Sequence, residues 1–164
     1  MTVQIILLTH ERELVRANNT GRLAITAFPE SVIRIPWSRT APDPALVAAL
    51  ASQEAKLLFP AASEKNLKQD MLIKPALTRP KQIVILDGTW QEARKMLRQS
   101  SYLKSAARIA LPYKESGSTF VLRRNQLEGG LCTAECIIAL WQQVGYENQA
   151  TQLMSLFTAL NNLN

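Results

Sequence analysis

The run Ile83-Val84-Ile85-Leu86 restricts the fold of this chain more than any other segment. Four apolar residues, three of them β-branched, stand uninterrupted between Pro80 and Gly88. A strand with one wet face alternates apolar and polar side chains. A run that is apolar at every position has to be covered on both faces, as strands of a parallel sheet are. The next dozen residues fit that demand. Thr89 precedes Glu92 by three residues, the spacing of a capping box that opens a helix. Trp90, Ala93, Met96 and Leu97 then recur on one helical face, with Arg94, Lys95 and Arg98 largely on the other. The segment reads as strand, tight turn, helix.

The same alternation runs through the rest of the chain. Residues 3–9 form a short apolar run of the buried-strand kind, and Asn18-Asn19-Thr20-Gly21 is turn chemistry. Residues 31–35 alternate and stop at Pro36, which predicts a second strand. Pro44 suits a first helical position, so a helix is expected from there to about Ser52. Leu57-Leu58-Phe59 reads as a brief strand ended by Pro60, and residues 65–79 as a polar connection. Residues 108–111 and 120–122 are further candidate strands. Ile137, Leu140, Trp141 and Val144 repeat at helical spacing with Gly145 as the left-handed stop, and Leu153, Leu156, Phe157 and Leu160 repeat it again. The expectation is one α/β domain over residues 1–164, with a mainly parallel sheet and helices on both faces.

Several function classes lose support early. No stretch approaches the ~20 consecutive apolar residues of a membrane span, and the first residues run straight into a strand without a cleavage-site pattern, so no membrane partner and a cytoplasmic location are expected. Cys132 and Cys136 with the lone His10 make a poor zinc site, since a structural zinc wants about four ligands in paired spacings; no metal is expected, and both cysteines read as small buried apolar groups. Neither a phosphate loop ending in Gly-Lys-Ser/Thr nor a G-x-G-x-x-G is present. Charge is uneven: residues 79–124 carry ten Lys/Arg against three Asp/Glu, whereas residues 125–164 carry three Glu and no Lys or Arg. Such a basic middle suits a surface that meets phosphates, and equally a solvated basic face.

Ligands of open α/β sheets bind outside the carboxyl ends of the strands, which directs attention to Asp87-Gly88. Thr89 is explained by its capping box. Asp87 lies before the cap, where a carboxylate points into the crevice instead of solving a backbone problem, and Gly88 permits close approach of a ligand. Asp-Gly is also a common turn dipeptide. Gly129-Gly130 ahead of the Thr133 helix is a second glycine-rich lead into a helix start, whose amides suit a ligand carboxylate. The segments after Phe59, after Leu86 and near Gly130 are expected to converge at one sheet edge.

These residues, taken in order, resemble the DTW-domain family. The likeness rests on Leu8-Thr9-His10-Glu11-Arg12-Glu13 with Asn19-Thr20-Gly21-Arg22-Leu23-Ala24, then Leu57-Leu58-Phe59-Pro60, and Leu86-Asp87-Gly88-Thr89-Trp90 with Ala93-Arg94-Lys95-Met96. It is completed by residues 113–124 and Cys132-Thr133-Ala134-Glu135. The resemblance implies a tRNA-uridine aminocarboxypropyltransferase with the trefoil-knotted α/β fold of the SPOUT superfamily. Two departures stand out. The cysteine cluster that many members carry before the His-Glu motif is absent, implying a zinc-free version, and Cys132-Thr133-Ala134-Glu135-Cys136 replaces the usual Ser-Thr-x-Glu-Ala.

By that resemblance the cofactor is S-adenosylmethionine and the substrate is tRNA. Leu58, Phe59 and Pro60 form an apolar wall for the cofactor, with Gly88, Thr89, Leu111, Thr133 and Glu135 also in contact with it. Asp87 is either the general base toward uridine N3 or the partner of the cofactor's amino group. Asp87→Ala is expected to stop transfer and spare the fold. Asn19, Arg22, Trp90, Arg94, Lys95, Arg123 and Arg124 fall to the tRNA, although the spacing of Trp90 with Ala93 and Leu97 favours a buried helix anchor, and Phe59 serves equally as core. His10 reads as structural. A methyl transfer to RNA and a non-catalytic RNA-binding role are the alternatives, and monomer and homodimer stay equally open.

Overall fold

A computed structural model of the chain describes residues 3–15, 20–58, 81–109, 133–143 and 145–162. In chain order these form β1 (Gln4–Thr9), α1 (Glu11–Leu14), α2 (Gly21–Ala27), β2 (Val32–Pro36), α3 (Pro44–Ser52) and β3 (Ala55–Leu58). Next come β4 (Gln82–Asp87), α4 (Trp90–Arg98), α5 (Ser101–Lys104), β5 (Arg108–Ile109), α6 (Thr133–Gln143) and α7 (Glu147–Asn162). The strands lie side by side in the order β2-β1-β4-β3-β5, and every neighbouring pair is parallel. The apolar run of residues 83–86 thus belongs to an inner strand, flanked by β1 from Gln4↔Gln82 to Thr9↔Asp87 and by β3 on its other side.

Strand alternation divides β4 between two cores. Ile83 and Ile85 face a layer built from α2, α6 and α7, where Ile137, Trp141 and Leu153 are buried and Phe28 meets Trp141 edge-on at 5.0 Å. Val84 and Leu86 face a second layer, where Leu46 and Leu50 of α3, Met96 of α4 and Leu103 of α5 close the other side. Each such side chain taken fully out of water stabilises the fold by about 1.5–3 kcal/mol. Helices on both faces of a parallel sheet are therefore what the continuous apolar strand required.

Local chemistry explains most of the helix ends. Pro44 opens α3, and Asp43 caps it by accepting the Ala45 and Leu46 N–H groups at 2.9 and 3.1 Å. Gly145 between α6 and α7 has φ +92°, the left-handed conformation that a helix stop requires. Helix α2 departs from expectation. Asn18-Asn19-Thr20-Gly21 reads only as a turn, and the seven-residue helix beyond it carries a glycine at its start and β-branched Ile25 and Thr26. Contact of Ala24 with the first core holds this short helix more than propensity does. The strand expected at 120–122, the connection at 65–79 and Cys132 lie outside the described residues, as do segments 59–80 and 110–132, from which a knot would have to be read. No described helix is long and apolar enough to cross a membrane.

One property of this topology positions the site. The chain leaves β1 toward α2 on the first face, whereas it leaves β4 toward α4 on the second. Adjacent parallel strands whose connections diverge to opposite faces open a crevice at their carboxyl ends. By that rule a ligand is expected where β1 and β4 end, at Thr9-His10 and Asp87-Gly88.

Candidate active site

Asp87, the last residue of β4, sits on the first face with its side chain 0% exposed. A carboxylate so enclosed has to be paired and hydrogen-bonded. Thr133 Oγ1, at the first residue of α6, donates to its Oδ1 at 2.8 Å, and Thr9 Oγ1, at the end of β1, donates to Oδ2 at 3.0 Å. Arg34 of β2 brings Nη2 to 3.6 Å from Oδ2, an ion pair longer than a hydrogen bond. Two strands and a helix thereby meet on one carboxylate, and a third strand sends it a guanidinium. Thr20 extends the cluster, because its hydroxyl accepts the Ala134 N–H at 3.0 Å and fixes the first turn of α6 against the start of α2.

The turn after Asp87 crosses to the other face. Thr89 Oγ1 accepts the Glu92 N–H at 3.2 Å, and Glu92 Oε1 accepts the Thr89 N–H at 2.9 Å, completing the capping box. Gly88 belongs to the same device. A Cβ built on it would stand 3.0 Å from Glu92 Oε1, 3.1 Å from Glu92 Cβ and 3.5 Å from His10 Cβ. The missing side chain makes room for the cap as well as for any ligand. Thr89→Ala is expected to lower stability by about 1 kcal/mol in chemical denaturation, with the slope of the transition unchanged.

The segments after Phe59 and near Gly130, expected to converge with Asp87-Gly88, lie outside the described residues; what the structure places are the residues that flank them. Leu58 ends β3 beside Ile85, faces the first core and is 5% exposed, on the same face as Asp87 and Thr133. Glu135, 7% exposed, lies in the first turn of α6. Phe59, Pro60, Leu111, Asn19, Arg123 and Arg124 lie outside the described residues, as does the side chain of Trp90, whose backbone opens α4. The residues assigned to tRNA are not all brought together: Arg22 is exposed on α2, whereas Arg94 and Lys95 are exposed on α4, across the sheet. Burial raises the pKa of the Tyr102 phenol, and that side chain packs in the α3–α5 layer away from Asp87. Among the described residues no group of three His, Cys, Asp or Glu side chains is placed to hold a metal.

The structure corrects two expectations. Asp87 is the hub of a buried cluster, so Asp87→Ala would not spare the fold as its position at a strand end suggests. Thr9, Thr20 and Arg34 join the site although sequence reasoning does not single them out. Arg34 does leave a trace: it interrupts the apolar strand Val32-Ile33-Arg34-Ile35 in register with Val32, which is fully buried. An arginine facing a core demands a carboxylate partner.

The chain is 24% identical over 139 residues to the tRNA-uridine aminocarboxypropyltransferase 2 of Macaca fascicularis, a match covering 83% of this chain and 46% of that protein. It spans about half the length of that relative. No solved structure matches it. The DTW domain family matches residues 1–163, nearly every position including the whole Asp87 cluster, and the chain belongs to that family.

Proposed function

We propose that this chain transfers the 3-amino-3-carboxypropyl group of S-adenosylmethionine to N3 of a uridine in tRNA, releasing methylthioadenosine. The observation that carries the reading is the enclosed Asp87 carboxylate where β1 and β4 end, gripped by hydroxyls from β1 and α6. The relative's name supplies the reaction and the tRNA.

The donor set fits the cofactor. Asp87 offers an anion for an ammonium, Leu58 an apolar wall for the carbon arms of the sulfonium, and the first turn of α6 carries Thr133 to Asp87 and Ala134 into the same core as Leu58. When bound, S-adenosylmethionine supplies a carbon that bonds to N3 as its bond to sulfur breaks, the electron pair passing to sulfur and the N3 proton to solvent. The chain's own part is orientation: a group held by Asp87 and the α6 terminus is aimed before the nucleophile arrives. Of the two roles open to Asp87, the geometry favours the ligand for the amino group. Each oxygen accepts one of the two hydroxyls and has a second acceptor site, the kind of site an ammonium N–H would use.

Sidedness of charge supports the tRNA. Arg94, Lys95 and Arg98 of α4 and Lys104 of α5 are exposed, and the nearest carboxylate in sequence, Glu92, is buried in its capping box. Helices α6 and α7 on the opposite face hold no Lys or Arg. A phosphate backbone is drawn to the α4–α5 side. We place the reaction in the cytoplasm and the whole activity in a single DTW domain.

The test incubates the purified chain with bulk tRNA and S-adenosylmethionine labelled separately in its carboxyl and methyl carbons. Carboxyl label alone in digested nucleosides is the expected result. Methyl label alone would identify a methyltransferase, and binding without label an RNA-binding module; either outcome removes the proposal.

A further inference from the structure

His10 follows the last residue of β1 and is only 5% exposed, yet the cluster around Asp87 makes no use of its side chain. Its backbone N–H donates to the Asp87 carbonyl at 3.0 Å, which fixes it to the end of β4. Its Nδ1 accepts the Arg12 N–H at 3.1 Å, capping α1. The ring lies nearly parallel to that of Trp37, with centroids 5.8 Å apart and planes 16° from each other. Trp37 is itself held by its indole N–H on Ser100 Oγ at 2.8 Å.

This arrangement sets the tautomer. An imidazole nitrogen that accepts an N–H carries no hydrogen, so the neutral ring bears its hydrogen on Nε2. Capping explains Nδ1 and stacking explains the plane of the ring. Neither uses Nε2–H, which has no hydrogen-bond partner among the described residues. The donor is fixed in orientation where β1 ends, with the His10 Cβ 3.5 Å from the point a Cβ on Gly88 would take and the ring held on Trp37 of the second core.

We infer that His10 Nε2–H is a preset hydrogen-bond donor to a carbonyl oxygen of the target uracil. The inference rests on the proposed reaction at the same strand ends. Uracil N3 is flanked by two carbonyls, and as its proton leaves to solvent the negative charge spreads onto their oxygens. A donor already aimed at one of them stabilises that charge without reorganising. A neutral imidazole performs this role when its second nitrogen is engaged, as Nδ1 is here. Trp37 and Ser100 are then positioning residues, acting through the ring they hold.

Because the chain contains a single histidine, its imidazole 15N resonances report on His10 alone. They are expected to show the Nε2–H tautomer. Oligouridine should shift Nε2 in the absence of S-adenosylmethionine, and an abasic ribose-phosphate oligomer of equal length should not. His10→Ala should slow labelled transfer about 100-fold, and His10→Gln, which restores an N–H near the same point, should recover most of it. Thermal melts of both variants establish that they fold. An Nδ1–H tautomer, equal shifts with the two oligomers, or an Ala variant as fast as the parent would overturn the assignment. The two readings fail separately. A parent chain that transfers nothing but keeps the uridine-specific shift loses the reaction and keeps the contact, whereas normal transfer with an unmoved resonance does the reverse.

Discussion

Asp87→Asn is expected to reduce aminocarboxypropyl transfer by on the order of 100- to 1,000-fold while the protein stays folded. Asparagine keeps the shape of the side chain and one acceptor oxygen. Its NH2 group must then face the Thr9 hydroxyl or the Thr133 hydroxyl in place of an acceptor, at distances of 3.0 and 2.8 Å. If it takes the Oδ2 position it also turns a donor toward Arg34 Nη2, 3.6 Å away. A hydrogen bond to a charged group contributes about 1.5–3 kcal/mol, so a loss of about that size is expected in urea unfolding. The anion that would hold the cofactor's amino group is gone entirely. Asp87→Ala is the poorer experiment, because removing one partner of a buried ion pair costs about 3–5 kcal/mol, tempered here by the partial exposure of Arg34. Transfer and stability have to be measured on the same Asn preparation. Near-parental turnover in a stable Asn variant would remove Asp87 from the site.

The contrast between Asp87 and Thr89 shows what is legible in the sequence. The capping box and the helix after it depend on residues three and four apart, and Thr89, Glu92, Ala93 and Met96 stand where spacing puts them. Helix α3 opens at Pro44 for the same local reason. The apolar continuity of residues 83–86 even dictates the layers on both faces. What surrounds Asp87 is a matter of which strands become neighbours. Thr9 lies 78 residues away and Thr133 lies 46 away, and no periodicity connects them. Gly88 is legible as a place for close approach, but the group that approaches in the structure is Glu92 of the following helix. His10 reads as structural, and its cap and stack are structural; the tautomer they impose becomes visible only with the Arg12 and Trp37 geometry.

Thr133→Val, alone and combined with Thr9→Val, is the second variant set with a large expected effect. Valine preserves the branched shape at the first position of α6 and removes only the hydroxyl, so packing at this 5% exposed site changes little. Each single variant should lose about 1.5–3 kcal/mol, the contribution of a hydrogen bond to a charged acceptor. The double variant should lose more than the sum. With one hydroxyl gone, the other and Arg34 still serve the carboxylate; with both gone, a fully enclosed charge keeps, of these three partners, only the ion pair at 3.6 Å. Groups that share one partner couple in this way, whereas independent sites add. In an Asp87→Asn background the penalty of the same substitutions should shrink, because the hydroxyls then serve a neutral amide instead of a charge. Transfer should fall with Thr133→Val more steeply than with Thr9→Val. Thr133 ties the α6 turn bearing Glu135 to the strand end, while Thr9 stays anchored through the six-residue pairing of β1 with β4. Strictly additive losses, unchanged in the Asn background, would mean that the hydroxyls stabilise the fold independently of Asp87, and the cluster could no longer be treated as one unit.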